Sequence, residues 1–233
     1  MSGWDRLLDL LFPPKCPFCG CVLDTADVCP ACRKTLPWTE EDRREQTLPG
    51  GLRCASPLWY EEAARQGILR FKFGGASGAA RALGGLMAEC AAERFSGEFD
   101  TVTWVPVSGK RLKKRGYDQS RLLAEAACRR WEMRPEPLLK KERDNPAQSG
   151  LTDAAARRAN VLGVYTADAA GTDGKRVLLI DDITTTGATL CECARELTAA
   201  GAQSVLALTL ARTREKKENR AADERDCAAC KNT

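Results

Sequence analysis

Residues 177–190, VLLIDDITTTGATL, constrain the fold of this chain more than any other stretch. Val177, Leu178, Leu179 and Ile180 form an apolar run of strand length with no polar alternation, the pattern of a strand buried on both faces. It delivers two adjacent carboxylates, Asp181 and Asp182, at its carboxyl end. A loop of Thr184, Thr185, Thr186 and Gly187 then runs into a helix with the apolar stripe Leu190, Ala194 and Leu197. Small hydroxyl side chains and a glycine let backbone N–H groups converge on an anion, and the helix start adds the positive end of its dipole. The expected product is a 5'-phosphate cradle, with Asp181 and Asp182 placed to accept hydrogen bonds from vicinal ribose hydroxyls. The lysine and second glycine of a GxxxxGK[ST] loop are missing, so this is not a Walker A motif. A plain helix N-cap needs one such residue. Here six of the seven positions from 181 to 187 are polar, anionic or glycine.

Around this segment, short β-rich runs alternate with Ala/Leu-rich helical patterns. Strands are predicted over residues 56–60, 101–107, 161–165, 177–180 and 205–210, and helices over 61–73, 79–94, 120–131 and 188–200. That alternation predicts an α/β fold, a mostly parallel sheet with helices on both faces, with its ligand at the carboxyl ends of the strands. Upstream, Trp4, Leu7, Leu8, Leu11 and Phe12 fall at helical spacing and read as a helix packed on its own protein. The polar stretch 39–53 reads as a linker and the charged stretch 214–226 as a solvated helix or frayed end. The expected organisation is residues 1–53 as helix, cysteine module and linker, 54–213 as the α/β domain, and 214–233 as a charged tail.

The chain has twelve cysteines and no histidine. The absence of histidine excludes Ser-His-Asp and Cys-His nucleophiles, His-ligated zinc and an imidazole base. Cys16-x-x-Cys19 and Cys29-x-x-Cys32, separated by nine residues, form two CxxC knuckles. Four thiolates at this spacing close a tetrahedral shell, so a structural zinc without an open position for water is expected on Cys16, Cys19, Cys29 and Cys32. Cys227-x-x-Cys230 has no matching pair, and Cys54, Cys90, Cys128, Cys191 and Cys193 read as buried or half-buried thiols. No signal peptide and no apolar run long enough to span a bilayer is visible, so a cytoplasmic, reducing setting is expected.

The formal net charge is +4, yet residues 106–143 hold twelve basic against five acidic side chains. Lys110, Arg111, Lys113, Lys114 and Arg115 fall just past a predicted strand end and read as a loop that meets an anion, either pyrophosphate or nucleic acid. Trp104, Tyr117 and Trp131 read as core residues rather than base-stacking platforms.

LLIDDITTTGATL resembles the PRPP-binding motif of type I phosphoribosyltransferases. Together with LLDLLFPPKCPFCG, the second CxxC, ILRFKFGG, VPVSGKRLKKRGYDQSRLLAE and NPAQSGLTDAAARRANVLGVY, it resembles the ComF family, competence-associated phosphoribosyltransferase-like proteins with an N-terminal zinc ribbon. The resemblance runs from about residue 4 to 212. It implies that Asp181 and Asp182 take the ribose hydroxyls of PRPP and that Thr184, Thr185, Thr186, Gly187, Ala188 and Thr189 hold its 5'-phosphate. It further implies that Ser108, Lys110, Arg111 and Arg115 serve the pyrophosphate, with Mg2+ arriving with PRPP. A flap over residues 140–158 would close the site, with Gln148 and Arg157 or Arg158 as its landmarks. One departure is visible: the family's RGFNQ is RGYDQ here, with Asp118 in place of an amide. The implied role is DNA uptake with single-stranded DNA handling beside protein partners of the uptake machinery. Two alternatives stay open: an active transferase with an unnamed acceptor, and a PRPP-sensing adaptor that docks partners through its zinc ribbon.

Overall fold

Apolar runs too short for helices build one sheet, and the Ala/Leu-rich segments between them cover it. The computed structural model describes residues 14–23, 28–73, 77–143 and 161–214. In chain order these form α1 (Pro30–Thr35), β1 (Glu45–Leu48), β2 (Leu52–Ala55), β3 (Leu58–Trp59), α2 (Glu62–Phe73), α3 (Ala80–Arg94), β4 (Thr101–Trp104), α4 (Gly109–Arg115), α5 (Gln119–Cys128), β5 (Leu139–Lys141), β6 (Tyr165–Ala167), α6 (Ala169–Thr172), β7 (Arg176–Thr184), α7 (Ala188–Ala199) and β8 (Ser204–Arg212).

The main sheet has the order β1-β2-β8-β7-β4, antiparallel only at β1–β2 and parallel elsewhere. β3 continues the β2 edge along β8. Between them Pro57 has no N–H to give to the ladder, and Ser56 and Thr209 join their hydroxyls at 2.7 Å instead. Side chains alternate with period two along the central pair. Leu178, Ile180, Leu206, Leu208 and Leu210 enter one core with α2, α3 and α5, whereas Val177, Leu179 and Ala207 enter a second with Leu190, Cys193 and Leu197 of α7. Both faces are covered, which is why the run before Asp181 shows no polar alternation. At about 1.5–3 kcal/mol for each fully buried Leu or Ile, these two strands supply much of the driving force for folding.

Three expectations change. Of the stretch 39–53 read as a linker, residues 45–53 belong to the β1–β2 hairpin of the main sheet, which runs to Ala55, so the boundary drawn at 53/54 falls inside β2. Its edge strand carries Glu45, Gln46 and Thr47, half-buried or exposed, and polar composition hid it. The strand expected at 161–165 is a turn over 161–163; β6 starts only at Tyr165 and pairs antiparallel with β5 in a separate two-stranded sheet. The basic stretch read as a loop is the helix α4, capped by the Ser108 hydroxyl on the Arg111 N–H and closed by Gly116 at φ 81°. The N-terminal helix, residues 144–158 of the flap, Cys227, Cys230 and the tail beyond Arg214 lie outside the described residues, while flap residues 140 and 141 belong to β5. Cys54, Cys90, Cys128 and Cys193 are buried and Cys191 half-buried; burial pushes the Cys54, Cys90 and Cys128 thiols up to about 12. Trp104, Tyr117 and Trp131 pack against the first core, Tyr117 on Phe71 and Trp131 edge-on to Phe99.

α3 and α5 approach so closely that a Cβ on Gly84 would lie 2.4 Å from that of Ala126 and 3.0 Å from the Leu123 carbonyl. This approach matters to the site because α5 begins at the residues that touch the carboxylate pair. Gly84→Ala should therefore destabilise the protein by about 1–3 kcal/mol by overpacking, although alanine alone favours a helix by about 1 kcal/mol. Denaturant unfolding measures the difference, and an unchanged or raised midpoint would contradict the packing.

Candidate functional site

β7 runs four residues past its apolar core segment, to Thr184, so Asp181 and Asp182 stand within the strand and the rest of the threonine loop follows it. Gly187 makes the turn into α7 at φ 73°, a conformation that favours glycine. Its missing Cβ leaves room for Leu48 of β1, whose Cδ1 lies 2.8 Å from where that atom would sit. The hairpin thus braces the loop from outside. Inside it, the hydroxyls of Thr184 and Thr186 are buried and have no hydrogen-bond partner. Two orphaned hydroxyls in one loop mark a place built for an acceptor-rich group, since a buried hydroxyl left unpaired costs about 1–3 kcal/mol.

The carboxylates are held from three sides. Oδ1 of Asp181 accepts from the Ser120 hydroxyl of α5 at 2.8 Å and from the Asp182 N–H at 2.8 Å. The Lys72 ammonium, in the last turn of α2, lies 2.8 Å from Oδ2 of Asp182. Burial, and then the neighbouring Asp182 charge, push the Asp181 carboxyl up to about 7. Above the pair opens a cavity of about 310 Å³ lined by Lys72, Arg111, Arg115 and Lys141 among others. Four cations facing two carboxylates, one of them raised by burial, favour an anion.

The cavity brings together Asp181, Asp182, Thr185, Thr189, Arg111 and Arg115. Thr184, Gly187 and Ala188 line a smaller cleft of about 20 Å³ within the loop, which shares Asp181, Thr185 and Thr189 with the cavity. Thr186 contributes its orphaned hydroxyl. Ser108 is spent capping α4 and Lys110 points outward with Lys113 and Lys114, so none of these lines the cavity. Gln148, Arg157 and Arg158 lie outside the described residues. Sequence reasoning missed Lys72, Ser120, Lys141, Tyr60 and Tyr165. Each arrives from a different element, and only the FKF at the end of a predicted helix hinted at one of them. Asp118, the departure from the family pattern, uses both oxygens as acceptors, from the Val107 N–H at 3.0 Å and the Arg121 N–H at 3.2 Å. Neither contact needs an amide donor.

In the N-terminal module the Sγ atoms of Cys16, Cys19, Cys29 and Cys32 all lie within 4.8 Å of one another. A tetrahedral shell with Zn–S near 2.3 Å has edges of about 3.8 Å, and the Cys19–Cys29 separation is 3.6 Å. The donor set therefore fits zinc. Backbone N–H groups favour two of the thiolates: that of Cys21 draws Cys19 down to about 6, and that of Cys32 lowers Cys29. Cys21 lies beside the cluster without belonging to it.

Two outcomes are expected. Purified protein should carry zinc on this cluster, and Cys29→Ser should lose most of it; because Cys16, Phe18, Leu23 and Val28 share the core of α2 and α3, chelation should also lower the melting temperature of the whole chain. Zinc content unaffected by Cys29→Ser would remove the ligand assignment. The second concerns pH. A carboxyl raised to about 7 in the fold from about 3.9 unfolded lends stability at low pH that is lost as pH rises through 7. Asp181→Asn, whose amide oxygen still accepts from Ser120, should gain in melting temperature over the wild type as pH climbs from 5 to 8, by several degrees. A gap constant across that range would show that Asp181 titrates normally.

Comparison with known proteins agrees with this geometry. A phosphoribosyl transferase domain model matches residues 123–233, and a double zinc ribbon domain model matches residues 7–47. The competence protein ComFC of Bacillus subtilis (strain 168) is 27% identical over 199 residues, 85% of this chain and 78% of that protein. Among solved structures, a glutamine PRPP amidotransferase from B. subtilis complexed with ADP and GMP is 27% identical, with TM-score 0.38, covering 56% of this chain and 26% of that one. An allosteric regulatory enzyme of purine biosynthesis is likewise 27% identical, with TM-score 0.39 and coverages of 56% and 25%. This chain spans about a quarter of either enzyme, and the assignment rests on the sequence matches. No helix among the described residues is long and apolar enough to cross a membrane. The mostly parallel sheet, the threonine loop after a carboxylate pair and a four-cysteine cluster suited to structural zinc agree with those two domain models. These matches support the ComF type, in which a zinc ribbon precedes a type I phosphoribosyltransferase domain.

Proposed function

We propose that the protein binds PRPP at the β7–α7 loop and acts in DNA uptake during natural competence, where it handles single-stranded DNA. The observation that carries the binding is the pair of buried, unpartnered hydroxyls of Thr184 and Thr186 beside two carboxylates in a cation-lined cavity. The 5'-phosphate takes those hydroxyls and the N–H groups at the start of α7. The ribose hydroxyls donate to Asp181 and Asp182, and Arg111 and Arg115 meet the diphosphate. Mg2+ comes with the substrate and neutralises the diphosphate charge. The competence role is supported by the likeness to the B. subtilis protein.

A transferase reading is favoured by the same two arginines. They line the cavity beyond the carboxylates, where they can stabilise a departing diphosphate while the carboxylate pair faces the cationic sugar carbon. The group transferred would be ribose 5-phosphate. The DNA surface is best assigned to the outer side of α4, where Lys110, Lys113 and Lys114 are exposed.

Titration calorimetry with PRPP and Mg2+ should give binding that Asp181→Asn with Asp182→Asn abolishes in a folded protein. Equal affinity in wild type and double variant would overturn the site. Single-stranded DNA should bind with a log-log salt slope of about 0.7 per phosphate contacted, and changing Lys110, Lys113 and Lys114 together to Ala should flatten it by roughly two units without weakening PRPP. Wild-type protein that fails to bind single strands at low salt would leave the transferase reading alone.

A further inference from the structure

The β5–β6 ribbon stands outside the main sheet, yet it places two side chains in the ligand cavity. Lys141 and Tyr165 are cross-strand partners on it and both line that cavity. The Lys141 ammonium donates to the Tyr165 hydroxyl at 3.1 Å, which leaves the phenol hydrogen for an acceptor in the cavity. Two short paired strands do not hold themselves in place in water, so the rest of the fold must seat the ribbon over the site.

Part of that seat is apolar: Leu139, Val164 and Tyr165 share the second core with Leu190, Cys193 and Leu197 of α7. At one end of the ribbon the Asp168 N–H donates to the Leu138 carbonyl as the chain enters α6. At the other end, just before β6, Gly163 is held by both of its backbone groups. Its N–H donates to Oε1 of Glu192 on α7 at 2.7 Å, and its carbonyl accepts from the Arg143 guanidinium at 2.8 Å. The glycine sits at φ 61°, and a Cβ there would lie 3.2 Å from the same guanidinium nitrogen.

The Glu192 side chain is only 5% exposed, whereas its ion-pair partner Arg195, three residues on, is 54% exposed. A helical ion pair forms as well on an open surface, so it does not account for a carboxylate drawn inward, which is costly unless its oxygens are hydrogen-bonded. The Gly163 N–H does account for it. Arg195, and with it that N–H, holds the Glu192 carboxyl below its usual range, and a hydrogen bond to an ionised acceptor is about twice as strong as a neutral one. Glu192 also follows Thr189, a residue of the ligand cavity, by three positions on the same helix. The helix therefore opens at the ligand and grips the ribbon one turn later.

We infer that Glu192 is a positioning residue: by holding the Gly163 N–H it seats the β5–β6 ribbon on α7, so that Lys141 and Tyr165 face the cavity at which that helix begins. Glu192 does not itself line the cavity. It acts through the two ribbon side chains, and its loss is felt by a ligand only while they are present. This rests on the phosphoribosyl reading given above and concerns what keeps the ribbon in the site, not what the site takes.

A double-mutant cycle on the full chain, read by titration calorimetry with PRPP and Mg2+, tests this. Glu192→Met keeps the length of the side chain but removes the acceptor, and should lose about tenfold in affinity. In a background of Lys141→Met with Tyr165→Phe, which should itself bind more weakly than wild type, the same change should cost less than about twofold. Glu192→Gln, whose amide oxygen still accepts from Gly163, should stay within about threefold of wild type, and Arg195→Met, which removes the ion pair alone, within about twofold. A merely structural role would cost the same factor in both backgrounds, and that result would overturn the assignment. So would a ribbon background that binds like wild type, or an Arg195→Met loss equal to that of Glu192→Met. Thermal melts check that the variants fold. Hydrogen exchange decides the contact without any ligand: the Gly163 amide should be protected about a hundredfold in wild type and about tenfold less in Glu192→Gln, and an unprotected amide in wild type would overturn the assignment even if Glu192→Met does not fold. A wild type that binds no PRPP but protects Gly163 would bring down the phosphoribosyl reading and leave the seating of the ribbon standing.

Discussion

The double-sided burial of β7 and β8 is the constraint on which the rest of the molecule depends. Two strands with leucine, isoleucine, valine and alanine on both faces are stable only if helices cover each side. That requirement recruits α2, α3 and α5 to one face and α7 to the other. The carboxylates sit just where the covered part of β7 ends, with Ile180 fully buried and Asp182 at the cavity. Ionisable groups at the end of such a strand are costly, and burial accordingly raises the Asp181 carboxyl. Sites that bind ligand characteristically carry such a burden.

The zinc module enters the same arrangement as more than an appendage. Phe18, Leu23, Val28 and Leu36 belong to the core that α2 and α3 share. Thus the ion that organises a stretch too small to fold alone also steadies the helix that bears Lys72. The β1–β2 hairpin does the corresponding work on the other side, where Leu48 occupies the space that Gly187 leaves. The phosphate loop is therefore braced by a segment distant in sequence and polar in composition. A change at Leu48 would reach the loop without touching a ligand.

Much of this was legible beforehand, and the reasons are physical. The unbroken apolar run, the acidic pair, the threonines and the glycine of 177–190 are a local pattern, and local patterns are decided by backbone geometry and burial that a short window contains. The CxxC pairs are likewise local, because ligand spacing follows from the reach of two thiolates in one turn. The hairpin at 45–55 escaped notice because an edge strand need not be apolar. The helix α4 was mistaken for a loop because seven mostly basic residues show no helical stripe, although its Ser108 cap and Gly116 stop are both visible in the text.

The sequence by itself determined the class of the fold, the four thiolates and the loop that follows the carboxylates, since each is encoded within a dozen or so consecutive residues. Only the tertiary structure decided which cations face that loop. Lys72, Arg111, Arg115 and Lys141 come from two helices and a small outlying strand pair, while Lys110, Lys113 and Lys114 in the same basic run face away. A helix of 3.6 residues per turn sends neighbouring side chains to opposite sides, so composition counts the charges of such a run but does not say which of them converge. That selection follows from how α4 docks after β4 and how α2 is pinned between the zinc knuckle and Tyr117.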